Sequence, residues 1–159
     1  MSQDDRSNDE PAAGRRVSLA NLGAWLLKCN PRVTDLHALI DHGVEMWCVQ
    51  DNYRSALCAP DQPVILWVSG STGATPTPGI WATGHLTGPA TWRAPADDLP
   101  PKYVVPLALH FLRTPLSRQA IAAHPDLSDL EVIRQPHMSN PSFITQKQLH
   151  ALTLLLETG

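Results

Sequence analysis

The chain has 159 residues, 43% of them hydrophobic, enough for one domain with a real core and too few for two ordinary ones. Its formal charge of -3, from 12 basic and 15 acidic residues, is opposite in sign to that of a sequence-independent nucleic-acid binder, so contact with nucleic acid must come from a local patch or pocket. No apolar run is long enough for a bilayer, the polar N-terminus has no apolar segment behind it, and the cysteines form no Cys-x-x-Cys pair. A monomeric cytoplasmic protein without membrane contact, disulfides, metal or cofactor is therefore expected.

Residues 1–22 are expected to form a tail, because the stretch up to Arg16 is polar and charged and has too little apolar surface to repay ordering. Ala24-Trp25-Leu26-Leu27 then gives an apolar run of strand length, ended by Pro31. Thr34 or Asp35 caps a short helix carrying Leu36, Leu39 and Ile40, and Gly43 stops it. Val44 to Trp47 reads as a brief strand, and Asn52 starts a further short helix through Leu57. Pro63 to Ser69 is too apolar for a wet face and predicts a central strand. A Gly, Ser, Thr and Pro loop over 70–78 leads to a strand over Gly79–Leu86, followed by an irregular stretch over 87–102 in which Asp97 and Asp98 are expected to be solvated.

Tyr103 to Leu112 reads as a strand whose Pro106 predicts an edge position or a bulge. Ser117 caps a helix to Ala123, and Asp126 or Ser128 caps another to Ile133. After a polar loop, Gln-Pro-His-Met-Ser-Asn-Pro, comes the clearest element, a final helix with a Thr145/Gln148 capping box and a Leu149, Leu152, Leu156 stripe. Strands scattered among short helices without a βαβ rhythm predict an α+β fold: a small, strongly bent sheet or open barrel with flanking short helices and a C-terminal helix.

Phosphate loops, dinucleotide glycine patterns, nucleophile elbows and zinc-protease helices are absent from the sequence. Cys48 or Cys58 with a distant His would make a nucleophile pair, a construction that any cytosolic chain with cysteines permits. The stretch Trp-Cys-Val-Gln-Asp-Asn-Tyr, Trp47 to Tyr53, is more distinctive. Two aromatics, an amide and a carboxylate within one short span suit a flat polar ligand, or else a core Trp followed by an Asn cap. Trp25, Trp47, Trp67 and Trp81 all fall on predicted strands or their ends, and a small sheet that buries so much indole is expected to leave a concave aromatic surface.

Trp25-Leu-Leu-Lys28-Cys-Asn-Pro31, Trp47 to Tyr53, Ile-Leu-Trp-Val-Ser69, Pro78-Gly79-Ile80 and Pro-His-Met-Ser139-Asn-Pro141, in that order, resemble the EVE domain of the PUA-like superfamily. The resemblance covers residues 24 to 156 and implies a bent β-barrel with flanking helices. EVE domains are similar to YTH domains, and both are regarded as readers of modified bases. What the resemblance implies is a non-enzymatic reader that takes a modified base flipped out of DNA or RNA into an aromatic pocket. Trp47 would stack on the base, Asn52, Asn30 and the backbone near Cys29 or Cys48 would bond its edge, and Tyr53, Ser69 and Ser139 would line the pocket. Lys28, Arg54 and Arg134 are the expected phosphate contacts. The chain departs from the pattern where Cys29-Asn30 replaces Ser-Glu and Gln50-Asp51 replaces Val-Arg, which removes one basic residue. A small-molecule or free-nucleotide module using the same pocket is the alternative.

Overall fold

The backbone of the molecule is a parallel pair, β1 (Leu22–Cys29) beside β3 (Pro63–Val68), in register from Trp25↔Val64 to Cys29↔Val68. Both strands are continuous apolar runs because both of their faces are covered. The period of two sends Trp25, Leu27, Val64 and Leu66 into one core, closed by α1 (Leu36–His42), and Leu26, Ile65 and Trp67 into another. The second core is closed by α2 (Arg118–Ala123), α3 (Glu131–Arg134) and α4 (Gln146–Thr158). Further strands are β2 (Met46–Cys48), β4 (Gly79–Leu86), β5 (Thr91–Arg93), β6 (Lys102–Ser117) and β7 (Ser142–Thr145). In this computed structural model, which describes residues 16–94 and 101–158, the seven strands form one curled, half-barrel sheet ordered β2-β6-β4-β3-β1-β7, with β5 paired to β6. The expected α+β bent sheet with a C-terminal helix is the observed fold.

The 16-residue β6 is what lets the sheet curl. Its second half pairs with β4 and its first half with β2 and β5, and Pro106, which has no N–H to give, sits at the changeover. Near its far end Ile80↔Leu116 is followed by Ala82↔Phe111, a bulge that adds twist. Gly79 enters β4 at φ 140, with a hypothetical Cβ only 2.1 Å from the Leu116 carbonyl oxygen, so glycine alone fits there.

Local chemistry agrees with the sequence at the helix ends. Asp35 accepts from the Ala38 N–H, Gly43 follows at φ 80, and Ser117 accepts from the Ala120 N–H. The capping box is reciprocal: the Gln148 N–H donates to Thr145 Oγ1 at 3.2 Å, and the Thr145 N–H donates to Gln148 Oε1 at 3.0 Å. Thr145→Ala is expected to cost about 1 kcal/mol, read as a lower urea midpoint with an unchanged slope.

Three expectations are corrected. The expected tail extends to residue 22, yet Val17 is buried in the core and its N–H donates to the Tyr53 hydroxyl at 2.9 Å, while Arg16 lies 4.8 Å over the Tyr53 ring. The helix expected from Asn52 is only a 3-10 turn, Ser55–Leu57, because Asn52 Oδ1 accepts from the Arg54 and Ser55 N–H groups and Ser55 Oγ donates back to the Asn52 carbonyl. The helix expected to end at Ile133 is the single turn α3, entered from Leu130 with no side-chain cap. Residues 1–15, and Asp97 and Asp98, lie outside the described residues.

Candidate ligand pocket

Where β1 and β3 end together, the chain leaves a chamber of about 620 Å³ with Trp67 in its wall. Asn30 and Arg32 follow β1, Ser69 and the 70–76 segment follow β3, and Arg118, Val132 and His137 complete the lining. The Ser69 N–H donates to the Cys29 carbonyl at 2.9 Å, which continues the β1–β3 pairing into the chamber. Arg118 fastens the loop wall twice, through its backbone N–H to Pro78 O at 2.7 Å and through Nη1 to Gly70 O at 2.8 Å. Asn30 Oδ1 accepts from the Arg32 N–H at 3.0 Å, which orients the amide and leaves its NH2 group to donate. Trp67 is only 3% exposed, so it serves as an apolar floor rather than a free stacking face.

The Gln-Pro-His-Met-Ser-Asn-Pro loop divides this chamber from a second of about 320 Å³, lined by Gln50, Asn52, Tyr53, Arg54, Met138, Ser139 and Pro141. Two devices hold the partition. The Asn140 side chain imitates a strand, accepting from the Lys28 N–H at 2.8 Å and donating to the Lys28 carbonyl at 3.2 Å, while its own carbonyl accepts from the Gln50 N–H. The Lys28 ammonium donates to the carbonyls of Pro136 and Met138. Burial pushes the Lys28 ammonium below the usual lysine range, although the Glu131 carboxylate pulls the other way.

The site residues expected from the sequence are therefore spread over several places. Asn30 and Ser69 share the larger chamber; Asn52, Tyr53 and Ser139 share the smaller one. Cys29 is buried in the first core, where burial raises its thiol despite a hydrogen bond with Thr34. Cys48 is exposed on a separate cleft, and Trp47 packs its indole against the first core and lines neither chamber. Asn52 Oδ1 is occupied by its own turn, and the 3-10 turn that follows is entered from Arg54 without a side-chain cap.

Of the expected phosphate contacts, Arg54 is corrected because it is internal, and Lys28 and Arg134 line neither chamber. Arg54 is 4% exposed and makes a two-pronged pair with Glu131, at 2.6 and 2.7 Å. Lys28 binds the partition, and Arg134 Nε donates to Asp129 O at 2.8 Å. Cationic groups at the chamber are instead Arg32 and Arg118, neither of which a local motif marks. Burial pushes the Cys58 thiol up to about 12, which disfavours the thiolate that a nucleophile needs.

A curled mixed α+β sheet with a C-terminal helix and a chamber at the ends of its parallel strands is the class of structure this chain belongs to. Solved structures share the fold, three of which follow. A hypothetical protein from Leishmania major is 14% identical with a TM-score of 0.67, over 89% of this chain and 98% of that one. A protein of Pseudomonas syringae is 16% identical with a TM-score of 0.63, over 84% and 99%, and one of Pseudomonas putida is 18% identical with a TM-score of 0.62, over 84% and 99%. No family model matches the chain, and no curated protein matches it. Among the described residues, no helix is long and apolar enough to cross a membrane.

Proposed function

We propose that this chain is an EVE-type, non-enzymatic reader that accepts a modified base flipped out of DNA or RNA into the 620 Å³ chamber. What carries the reading is one juxtaposition: an indole floor, the Asn30 and Ser69 polar groups, and the Arg32 and Arg118 cations around a single concavity. A nucleobase needs those features in that combination. Its face is apolar, its edge demands directed donors and acceptors, and its phosphate seeks guanidinium. The chamber also answers the charge problem, because it gathers cations locally in a chain of net charge -3. Trp47, the stacking residue implied by the resemblance, has no part in this version of the site.

The test is a tryptophan-fluorescence titration with oligonucleotides carrying modified and unmodified cytosine or adenine. Preference for one modified base supports the reading, and equal or absent binding throughout sinks it. Asn30→Ala is expected to lower the discrimination by about 1–3 kcal/mol, the usual worth of a directed edge contact. The acidic net charge favours a second reading, a free nucleotide or other small molecule held in the same chamber by a monomeric cytoplasmic protein. Affinity that is insensitive to salt and undiminished for the isolated nucleoside would select it.

A further inference from the structure

Trp92 is the one tryptophan that the fold leaves open, at 61% exposure. It sits on β5 directly opposite Tyr103 of β6, their rings 5.1 Å apart and tilted by 59°. Contact with Tyr103 thus leaves most of the indole in water, where it adds little to the stability of the fold. Around the pair is a cleft of about 350 Å³ that also takes in Lys102, Cys48, Gln50 and Asp51.

The cleft adjoins the smaller chamber through a shared wall residue. Gln50 lines both it and the 320 Å³ chamber, and that chamber lies across the partition from the larger one, with Pro136 and His137 on one side and Met138 and Ser139 on the other. The three concavities are thus neighbours, set side by side by residues 136–139 and by Gln50, and the last is an exposed aromatic shelf that Lys102 also lines. Aromatic shelves of this kind stack bases of any identity, and a nearby cation meets the backbone that links them.

We infer that the Trp92–Tyr103 cleft stacks a nucleotide flanking the one whose base enters the large chamber, so that the ligand is a single-stranded segment of DNA or RNA rather than a free nucleotide. Trp92 supplies the face, Lys102 the charge, and Asp51 with Gln50 the polar groups toward the edge of the stacked base. The carboxylate favours a base with an exocyclic amino group, to which it is an acceptor. This inference rests on the base-reading function proposed above.

The experiment compares wild type, Trp92→Ala and Trp92→Phe for binding to a short single-stranded oligonucleotide carrying the preferred modified base, and to the corresponding free mononucleotide. Since Trp92 is exposed, both variants are expected to fold, and an unchanged thermal midpoint checks this. The expected result is a roughly 5- to 150-fold loss of oligonucleotide affinity in Trp92→Ala, no change for the mononucleotide, and recovery of most of the loss in Trp92→Phe. Equal oligonucleotide affinity in wild type and Trp92→Ala overturns the flanking role and leaves the chamber reading standing. Loss of both ligands in Trp92→Ala makes the cleft the primary base site and also overturns it. Wild type that binds neither ligand overturns the base-reading function itself.

Discussion

Arg54→Ala or Glu131→Gln is expected to destabilise the protein by about 3–5 kcal/mol, read as a drop in the urea or thermal midpoint. Both partners are buried, at 4% and 2% exposure, so removing one leaves the other as an uncompensated charge or an unsatisfied group. The pair is also a junction. Arg54 Nη1 donates to the Pro141 carbonyl and contacts Met138 Sδ, its guanidinium lies 5.3 Å from the Phe143 ring, and Glu131 Oε1 accepts from the Phe143 N–H. Burial alone would lower the affinity of Arg54 for its proton; the hydrogen bond and charge of Glu131, helped by Tyr53, more than offset this and raise it. A double variant, Arg54→Met with Glu131→Leu, is expected to recover a large part of the loss, because no unpaired charge remains. If the double variant is as damaged as either single one, the hydrogen bonds to Pro141 and Phe143 matter more than the charges.

Trp25→Ala is expected to cost about 3–5 kcal/mol and to lower the melting midpoint by roughly 6–20 °C. Its indole is 1% exposed between the strands and the turn that precedes β3, and Nε1 donates to Gln62 Oε1 at 2.7 Å. Gln62 is the clasp of that turn, since the same oxygen accepts from the Ala59 N–H and its Nε2 donates to the Leu57 carbonyl. Trp25→Phe keeps most of the packing and removes the donor, so it should cost less, about 1–3 kcal/mol. A Trp25→Phe cost equal to that of Trp25→Ala would mean that the hydrogen bond outweighs the volume.

The fold is legible in the sequence where one residue type has few conformational options. Asp35, Gly43, Ser117 and the Thr145/Gln148 box mark real helix ends, and the run Pro63 to Val68 is the central strand its composition demands. Strand β6 is longer than its sequence suggests because its Leu112–Pro115 part belongs to a bulge, whose residues follow no period of two. Strand β5 escapes notice because its three residues are too few for a pattern. The site is less legible. Asn30 and Ser69 meet because they follow strands that end side by side, whereas Trp47 is directed by pairing with Val105 into the first core. Arg54, which looks like a surface cation by sequence, is internal because its partner Glu131 lies 77 residues away, a separation that local spacing does not register.

The position of β1 has a consequence for how the chain folds. Residues 22–29 lie between β3 and β7, with Trp25 matched to both Val64 and Phe143, so the first strand of the described residues completes its hydrogen bonding only when the last one arrives. Loop closure over that distance must precede the reward from the ladder, which sets a slow folding rate for a domain of this size. During synthesis one side of β1 stays an open edge until residues 142–145 emerge, and the apolar run Ala24–Leu27 is then the segment most exposed to mispairing.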